Sequence, residues 1–348
     1  MSEPVRVTAV NGIAEVHRGD DLAALLDEGL RHSGIDLMDG DIVVVSSKIA
    51  SKALGLVSDA TNKDALVASQ TCSVVAERAV DGRVTRVVHS VAGPVMAAAG
   101  VDGSNTGERG GWLLLPADPD AVCRDLHAAL TGRHGVRLGV VLSDTAGRPW
   151  RIGQTDFALG AHGVAVAEDL RGGRDADGRP LHVTTRAVAD EIAAAADLVK
   201  GKASRVPAAV VRGLAHLVTG AGSGTAGAAR LVRTGPGDWF ALGRVEAVRA
   251  ALGVEPGSAD SEAVGIPPAT PGTQDEAVRR AVALALHGVP DGRADIGDAS
   301  VRLEADGPYG LGRLLARFEV ALASESLVGR AGLPSADGRA VEVSLEPL

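Results

Sequence analysis

The stretch GDIVVVSSKIASKALG, residues 40–55, decides how the chain folds. Four successive β-branched residues, Ile42 to Val45, form a short continuous apolar run that fits a buried strand. Ser46, Ser47 and Lys48 emerge at the end of that strand, and Lys52 follows. Upstream, Asp20 to His32 sets Leu22, Leu25, Leu26 and Leu30 at helical spacing behind cap candidates Asp20 and Asp21. Downstream, residues 64–80 read as a second helix, followed by a Val-rich stretch that ends near Val101. Residues 118–131 put Val122, Cys123, Leu126 and Leu130 on one helical face.

Residues 137–143 read as another strand that stops at Asp144. From there to Leu181 the chain is rich in Gly, Arg and Asp and reads as one long ordered loop, a kind of segment that usually carries function. A helix then runs from a Thr184/Thr185 cap to Lys200, and residues 207–211 form a further strand. The class is α/β, with helices and strands interleaved. Beyond about residue 250 the composition shifts to a Pro/Gly/Ser stretch and two Arg-bearing helices near 275–287 and 311–327. The expected division is residues 1–248 as one domain and 249–348 as a small α+β appendage without assigned chemistry.

Charge sharpens that division. The 348 residues carry 35 basic and 44 acidic side chains, a net charge of −9. The last 98 residues hold eight basic and 15 acidic groups, so the body is close to neutral. A broad basic face for nucleic acid or anionic membrane is excluded, and any anionic ligand must be met locally. Only five of the basic residues are lysines: Lys48, Lys52, Lys63, Lys200 and Lys202. Seven aromatics in the whole chain rule out a surface that stacks bases or sugars. Two cysteines, Cys72 and Cys123, cannot make a structural zinc site and read as small hydrophobes of a reducing compartment. No signal-peptide pattern or apolar run of membrane-spanning length occurs, so the expected place is the cytoplasm.

Three constellations carry chemistry. Ser46, Ser47, Lys48 and Lys52 follow one apolar run, Asp102 and Asn105 (GVDGSNTG) follow another, and Asp144 and Thr145 (VVLSDTAGRPWR) follow a third. Polar residues just past strand ends converge on the ligand crevice of an α/β sheet. Two carboxylates with nearby amide and hydroxyl oxygens suit Mg²⁺ or Mn²⁺, and lysine with serines suits phosphate. Together they read as a nucleoside triphosphate and metal site. Taken singly, each has a plainer reading: an aspartate ending a strand is a turn former, and a lysine is a solvated charge. Arg148, Arg151 and Arg171 in the long loop could grip an anionic substrate or simply knit the loop through ion pairs. A GxGxxG match at residues 222–227 lacks the strand and acidic partner of a dinucleotide site, no GxxxxGK[ST] exists, and the histidines have no zinc-hydrolase spacing.

In series, residues 40–55, VMAAAGVDGSNTG (95–107), LGVVLSDTAGRPWRIGQTDFALG (138–160), DLRGGRDADGRPLHVTTRAVADEIAAAADLVKGKA (169–203) and VPAAVVRG (206–213) resemble the coenzyme F420-0:L-glutamate ligase family. The resemblance covers roughly residues 5–248. It implies mixed sheets flanked by helices and a GTP-dependent ligase of coenzyme F420 biosynthesis. That enzyme joins L-glutamate to F420-0 through an acyl phosphate and then adds glutamates through gamma linkages. It also implies Mg²⁺ or Mn²⁺, K⁺ and a homodimer. On matching positions, Asp102, Asp144 and Thr145 would hold the divalent metal. Ser46, Ser47, Lys52, Asn105 and the turn Ile13, Ala14, Glu15 and Val16 would hold GTP, with Asp102, Asp144 and Lys52 catalytic. Arg148, Arg151 and Arg171 would meet the substrate. Ala14 stands where the family usually has proline, and residues 249–348 are too short for the flavin domain fused to some relatives. Alternatives are a non-catalytic F420- or nucleotide-binding partner and a related amino-acid ligase on the same scaffold.

Overall fold

A computed structural model of the chain describes residues 4–106, 110–219, 227–270 and 272–347. They form two compact units, Met1–Cys72 with His89–Arg233, and Ser73–Val88 with Thr234–Leu348. In chain order the elements begin with β1 (Arg6–Val10), α1 (Leu22–His32), β2 (Ile42–Ser46), α2 (Ser47–Ala53), β3 (Val57–Ser58) and α3 (Lys63–Ser69). There follow β4 (Thr71–Val80), β5 (Arg83–Ser90), β6 (Val95–Ala97), β7 (Trp112–Leu113), α4 (Pro119–His134), β8 (Gly139–Arg148) and β9 (Arg151–His162). Then come β10 (Glu168–Asp169), β11 (Thr185–Arg186), α5 (Val188–Lys200) and β12 (Ala208–Arg212).

The first unit is organised by a mixed sheet of order β1-β12-β2-β8-β9. Only the β2–β8 pair is parallel, while β12 runs antiparallel to both β1 and β2 and β9 runs antiparallel to β8. The apolar run of β2 is explained by burial on both faces. Val43 and Val45 join Leu26, Leu30, Cys123 and Leu130 in a core under α1 and α4. Ile42 and Val44 join Ile192, Ala193 and Ala196 of α5 in a core on the other face. Side chains alternate across a strand, so only an uninterrupted apolar run serves two cores at once. The expected class, α/β with mixed sheets flanked by helices, is the class observed.

Three local readings need correction. The helix expected over 64–80 ends at Ser69, because Thr71-Cys-Ser-Val-Val begins β4. β4 and β5 are joined by Asp81 and Gly82, with φ of 47° and 74°, the two left-handed residues that a tight hairpin turn requires. Nor does the strand over 137–143 stop at Asp144: β8 continues to Arg148 and pairs with β9, so much of the expected loop is a hairpin. Finally, Thr184 and Thr185 do not cap α5, whose N-cap is Ala187, since Thr185 pairs with Asp169 in a short ladder.

The second unit contains the β4–β5 hairpin residues 73–88, then α6 (Arg244–Ala251), α7 (Ala259–Val264) and α8 (Gln274–Leu286). It continues with β13 (Arg293–Ile296), β14 (Ser300–Glu304), α9 (Pro308–Ser324), β15 (Leu327–Ala331) and β16 (Ala340–Pro347). Its antiparallel sheet has the order β13-β14-β16-β15. Leu314, Phe318 and Leu322 of α9 and Val278 and Ala281 of α8 pack on Val301, Leu303, Val341 and Val343 of that sheet. The division expected after residue 248 falls inside α6, because composition read along the chain gives no sign that a hairpin of the first half belongs with the second unit. Of the GxGxxG match, residues 222–226 lie outside the described residues. Among the described residues no helix is long and apolar enough to cross a membrane.

Candidate active site

The site starts where β2 becomes α2. Ile49 and Ala50 of this short helix pack into the core, which leaves Lys48 and Lys52, one turn apart, on a common face. Lys48 Nζ pairs with Asp102 and donates to Ser104 Oγ, while Lys52 Nζ pairs with Glu15. Ser47 is buried and donates to Asp144 Oδ1 at 2.9 Å. Ile13 and Val16 are anchored against the core, so the turn between them exposes Ala14 and Glu15. Gly29 of α1 permits that approach, because a Cβ there would lie 2.6 Å from Ile13 Cγ1.

The opposite face of β8 carries a second cluster. Asp144 and Thr145 are successive strand residues, so their side chains leave in opposite directions. Asp144 meets Ser47, whereas the Thr145 hydroxyl donates to Asp156 Oδ1 at 2.7 Å. Thr145 and Asp156 are direct cross-strand partners, and the ladder shifts register between Leu142 and Ser143 just beside them. Such bulges re-aim side chains near sites. Ser143 Oγ donates to Asp156 Oδ2 at 2.9 Å, and Lys200 at the end of α5 reaches Asp156 Oδ2 at 2.7 Å and Ser143 Oγ at 2.6 Å.

Both clusters border a cleft of about 1260 Å³. Its wall includes Lys48, Lys52, Lys200 and Lys202, four of the five lysines in the chain. The fifth, Lys63, lies over the Trp112 ring at 4.8 Å. Ile13, Ala14, Glu15, Val16, Ser46, Lys52, Asn105 and Thr145 also line the cleft. Ser47, Asp102 and Asp144 are not in that wall: Asp102 stands one side chain behind it, bonded to the cleft residue Lys48, and Ser47 and Asp144 bond each other. Arg148 and Arg151 face each other at the exposed end of the β8–β9 hairpin, and Arg171 is exposed and bound in a bidentate pair to Asp169. None of these three arginines lines the cleft.

The electrostatics follow the packing. Burial pushes the Asp144 carboxyl up to about 6, against the opposing hydrogen bonds from Ser47 and the Thr145 N–H. Burial also works against ionisation of Asp102 and Asp156. Lys48 and Ser104 outweigh it at Asp102, and Lys200, Thr145 and Ser143 outweigh it at Asp156, so both lie below the usual carboxylate range. Burial raises Asp197, another cleft residue. Sequence reasoning did not single out His17, Arg18, Asp59, Asp197 or Arg205 as lining residues. His17 and Arg18 directly continue the Ile13–Val16 turn, and Arg205 follows Lys202, so proximity in sequence was the available signal.

The first unit is thus a mixed α/β protein whose cleft collects lysines and carboxylates from a strand–helix junction, a hairpin and a helix end. The particular family comes from comparison. The family model described as F420-0:Gamma-glutamyl ligase matches residues 12–213. The Coenzyme F420:L-glutamate ligase of Methanothermobacter thermautotrophicus is 37% identical over 225 residues, covering 60% of this chain and 89% of the relative. Relatives of the same name from Haloarcula marismortui and Methanopyrus kandleri are 38% and 37% identical over 229 residues, each with 60% of this chain and 87% of the relative covered. The chain belongs to the F420-0:gamma-glutamyl ligase family. All residues lining the cleft lie inside the matched range.

Proposed function

We propose that this chain uses GTP to ligate L-glutamate to coenzyme F420-0 and then adds further glutamates through gamma linkages. The observation that carries the reading is the gathering of four of the five lysines on one cleft, beside acidic groups, within the family-matched residues. A carboxylate is a poor electrophile. Its oxygen attacks the GTP γ-phosphorus, the bond to GDP breaks, and an acyl phosphate forms. The glutamate nitrogen then attacks the acyl carbon, phosphate leaves, and the amine proton is lost. No side-chain nucleophile is needed, so the chain's work is positioning and charge stabilisation. Lys48 and Lys52 would meet phosphate oxygens, with the Glu15 carboxylate holding Lys52 at the wall.

The donor chemistry fits a divalent ion. Among the described residues no group of three or more His, Cys, Asp or Glu side chains forms a metal cage. Mg²⁺ at a nucleotide needs no such cage, because it is bound by one or two carboxylates together with phosphates and water. Asp102 and Asp144, both close to Lys48, would hold the ion, which would neutralise charge on the phosphate oxygens. Thr145 leaves β8 on the other face, where its hydroxyl proton goes to Asp156 and its oxygen keeps the lone pairs with which it would meet the metal.

The test is to incubate the chain with F420-0, L-glutamate, GTP and Mg²⁺, reading GDP release and product mass. GDP should appear only with both acceptor and glutamate present, and Asp144→Asn should lower turnover by at least about two orders of magnitude. Unchanged turnover in that variant would remove Asp144 from the chemistry. GTP binding without any product would favour the non-catalytic reading.

A further inference from the structure

The acidic group sunk deepest beside the cleft is one that the proposed chemistry leaves unused. Asp156 is 4% exposed and Lys200 3% exposed, yet both border the cleft. Each carboxylate oxygen of Asp156 has a donor: Thr145 on Oδ1, Ser143 and Lys200 on Oδ2. The Lys200 ammonium, in turn, donates to Asp156 and to Ser143. An ammonium has three donors. Two are taken by fixed acceptors on the β8–β9 hairpin, and among the described residues the third remains for a partner on the cleft side.

We propose that Asp156 is a positioning residue that, with Ser143, clamps the Lys200 ammonium at the cleft wall so that its remaining N–H meets an anionic oxygen of the bound nucleotide. The clamp is assembled by the fold itself. Cross-strand register sets Asp156 opposite Thr145, and the bulge at Ser143 brings a second acceptor to the same point. A free lysine must give up side-chain entropy when it grips a phosphate; one already held by two acceptors has lost it on folding. Two of the other three cleft lysines are held differently, Lys52 by the exposed Glu15 and Lys48 by Asp102, a proposed metal ligand. Lys200 is therefore a cleft cation whose position is fixed by a buried carboxylate free of other duty.

This inference rests on the proposed nucleotide site, and the experiment separates the two. Affinity for a non-hydrolysable GTP analogue and thermal stability are measured for the wild type, Asp156→Asn, Lys200→Met and the double variant. Each single change leaves one buried charge without its partner and should lower both stability and affinity. The double variant removes both charges, so stability should return toward wild type while affinity stays about tenfold to a hundredfold weaker, the worth of one charged hydrogen bond. Asp156→Asn alone should lose as much affinity as the double variant, because it acts through Lys200. Recovery of affinity together with stability would make the pair a structural ion pair and overturn the inference. Absence of nucleotide binding in the wild type would instead overturn the proposed nucleotide site itself.

Discussion

Each unit buries an ion pair to the same depth, and the two pairs are built differently. In the first unit Lys200 and Asp156 lie 2.7 Å apart with side chains 4% and 5% exposed. In the second unit Arg249 and Glu325 are 3.7 Å apart at 3% and 4% exposure. Around Asp156 every carboxylate oxygen is matched and the lysine borders a cleft. Around Arg249, the Nε and Nη1 atoms, Glu246 Oε2 and Glu325 Oε1 have no hydrogen-bond partner among the described residues. Burial consequently disfavours the charged form of Arg249, against the attraction of Glu325. The contrast teaches that depth alone does not mark a site. A buried charge points to ligand chemistry when it is fully held and still borders a cleft; within a sealed interior it ties elements together, at a cost in unmatched atoms.

The largest effect that could break this contrast lies at Glu77. It is 1% exposed, and Gly257 N donates to its Oε1 at 3.2 Å while Arg86 Nε donates to its Oε2 at 3.2 Å. Ser261 Oγ is a further donor to Oε1. Glu77→Ala would leave Arg86 with Glu262 alone among the described residues and strip the Gly257 N–H and the buried Ser261 hydroxyl of their acceptor, at a cost of about 3 kcal/mol. Urea unfolding, with hydrogen exchange to localise the loss to the hairpin and α7, measures it. A loss below about 1 kcal/mol would show a tolerant, wet network rather than a sealed one.

The same contrast explains what could be read from the residues alone. Ile42–Val45 fixed a central strand because four apolar residues in a row have few other uses, and the lysine count drew attention to Lys48 and Lys52 before any geometry. The hairpin around Asp144 was hidden by its tip. Arg148, Trp150, Arg151 and Ile152 are all exposed, so a real strand pair lacks the apolar alternation that marks one. With that hairpin read as a loop, nothing indicated that Asp156 faces Thr145 across a ladder, or that Lys200 closes on both. The second unit hid its hairpin similarly, since Glu77 looks like a solvated charge until its partners Ser261 and Gly257 are known, and Arg86 until it is seen bonded to Glu77 and Glu262.

A smaller effect sharpens the site's side of the contrast. With the Asp144 carboxyl pushed up to about 6 in the fold and near 4 when unfolded, the folded chain binds more protons between those values. Stability therefore falls as pH rises from about 4 to about 6 and stays lower above that window. Asp144→Asn removes this dependence. In metal-free solution the variant should be more stable than wild type above pH 6, by about 1–3 kcal/mol, with the difference vanishing below about pH 4. Thermal unfolding across that range is the measurement. Equal stability at pH 7 would mean that the carboxylate costs the fold nothing, and that its burial is not a strain held for function.

The smallest effect is expected at Arg171, and its smallness is the point. Arg171 Nε and Nη2 donate to Asp169 Oδ1 and Oδ2 at 2.8 and 2.6 Å, and both residues are exposed. A guanidinium already forked onto a neighbouring carboxylate would have to give up that pair to grip a substrate carboxylate, exchanging one bidentate contact for another in water. Lys200 differs because its two acceptors leave one donor over. Arg171→Ala should accordingly leave KM for F420-0 and for L-glutamate within about twofold of wild type in steady-state assays. A rise of tenfold or more would bring this exposed segment into the substrate site. Charge at the surface would then count as much as charge held at the cleft wall, which is the opposite of what separates the two buried pairs.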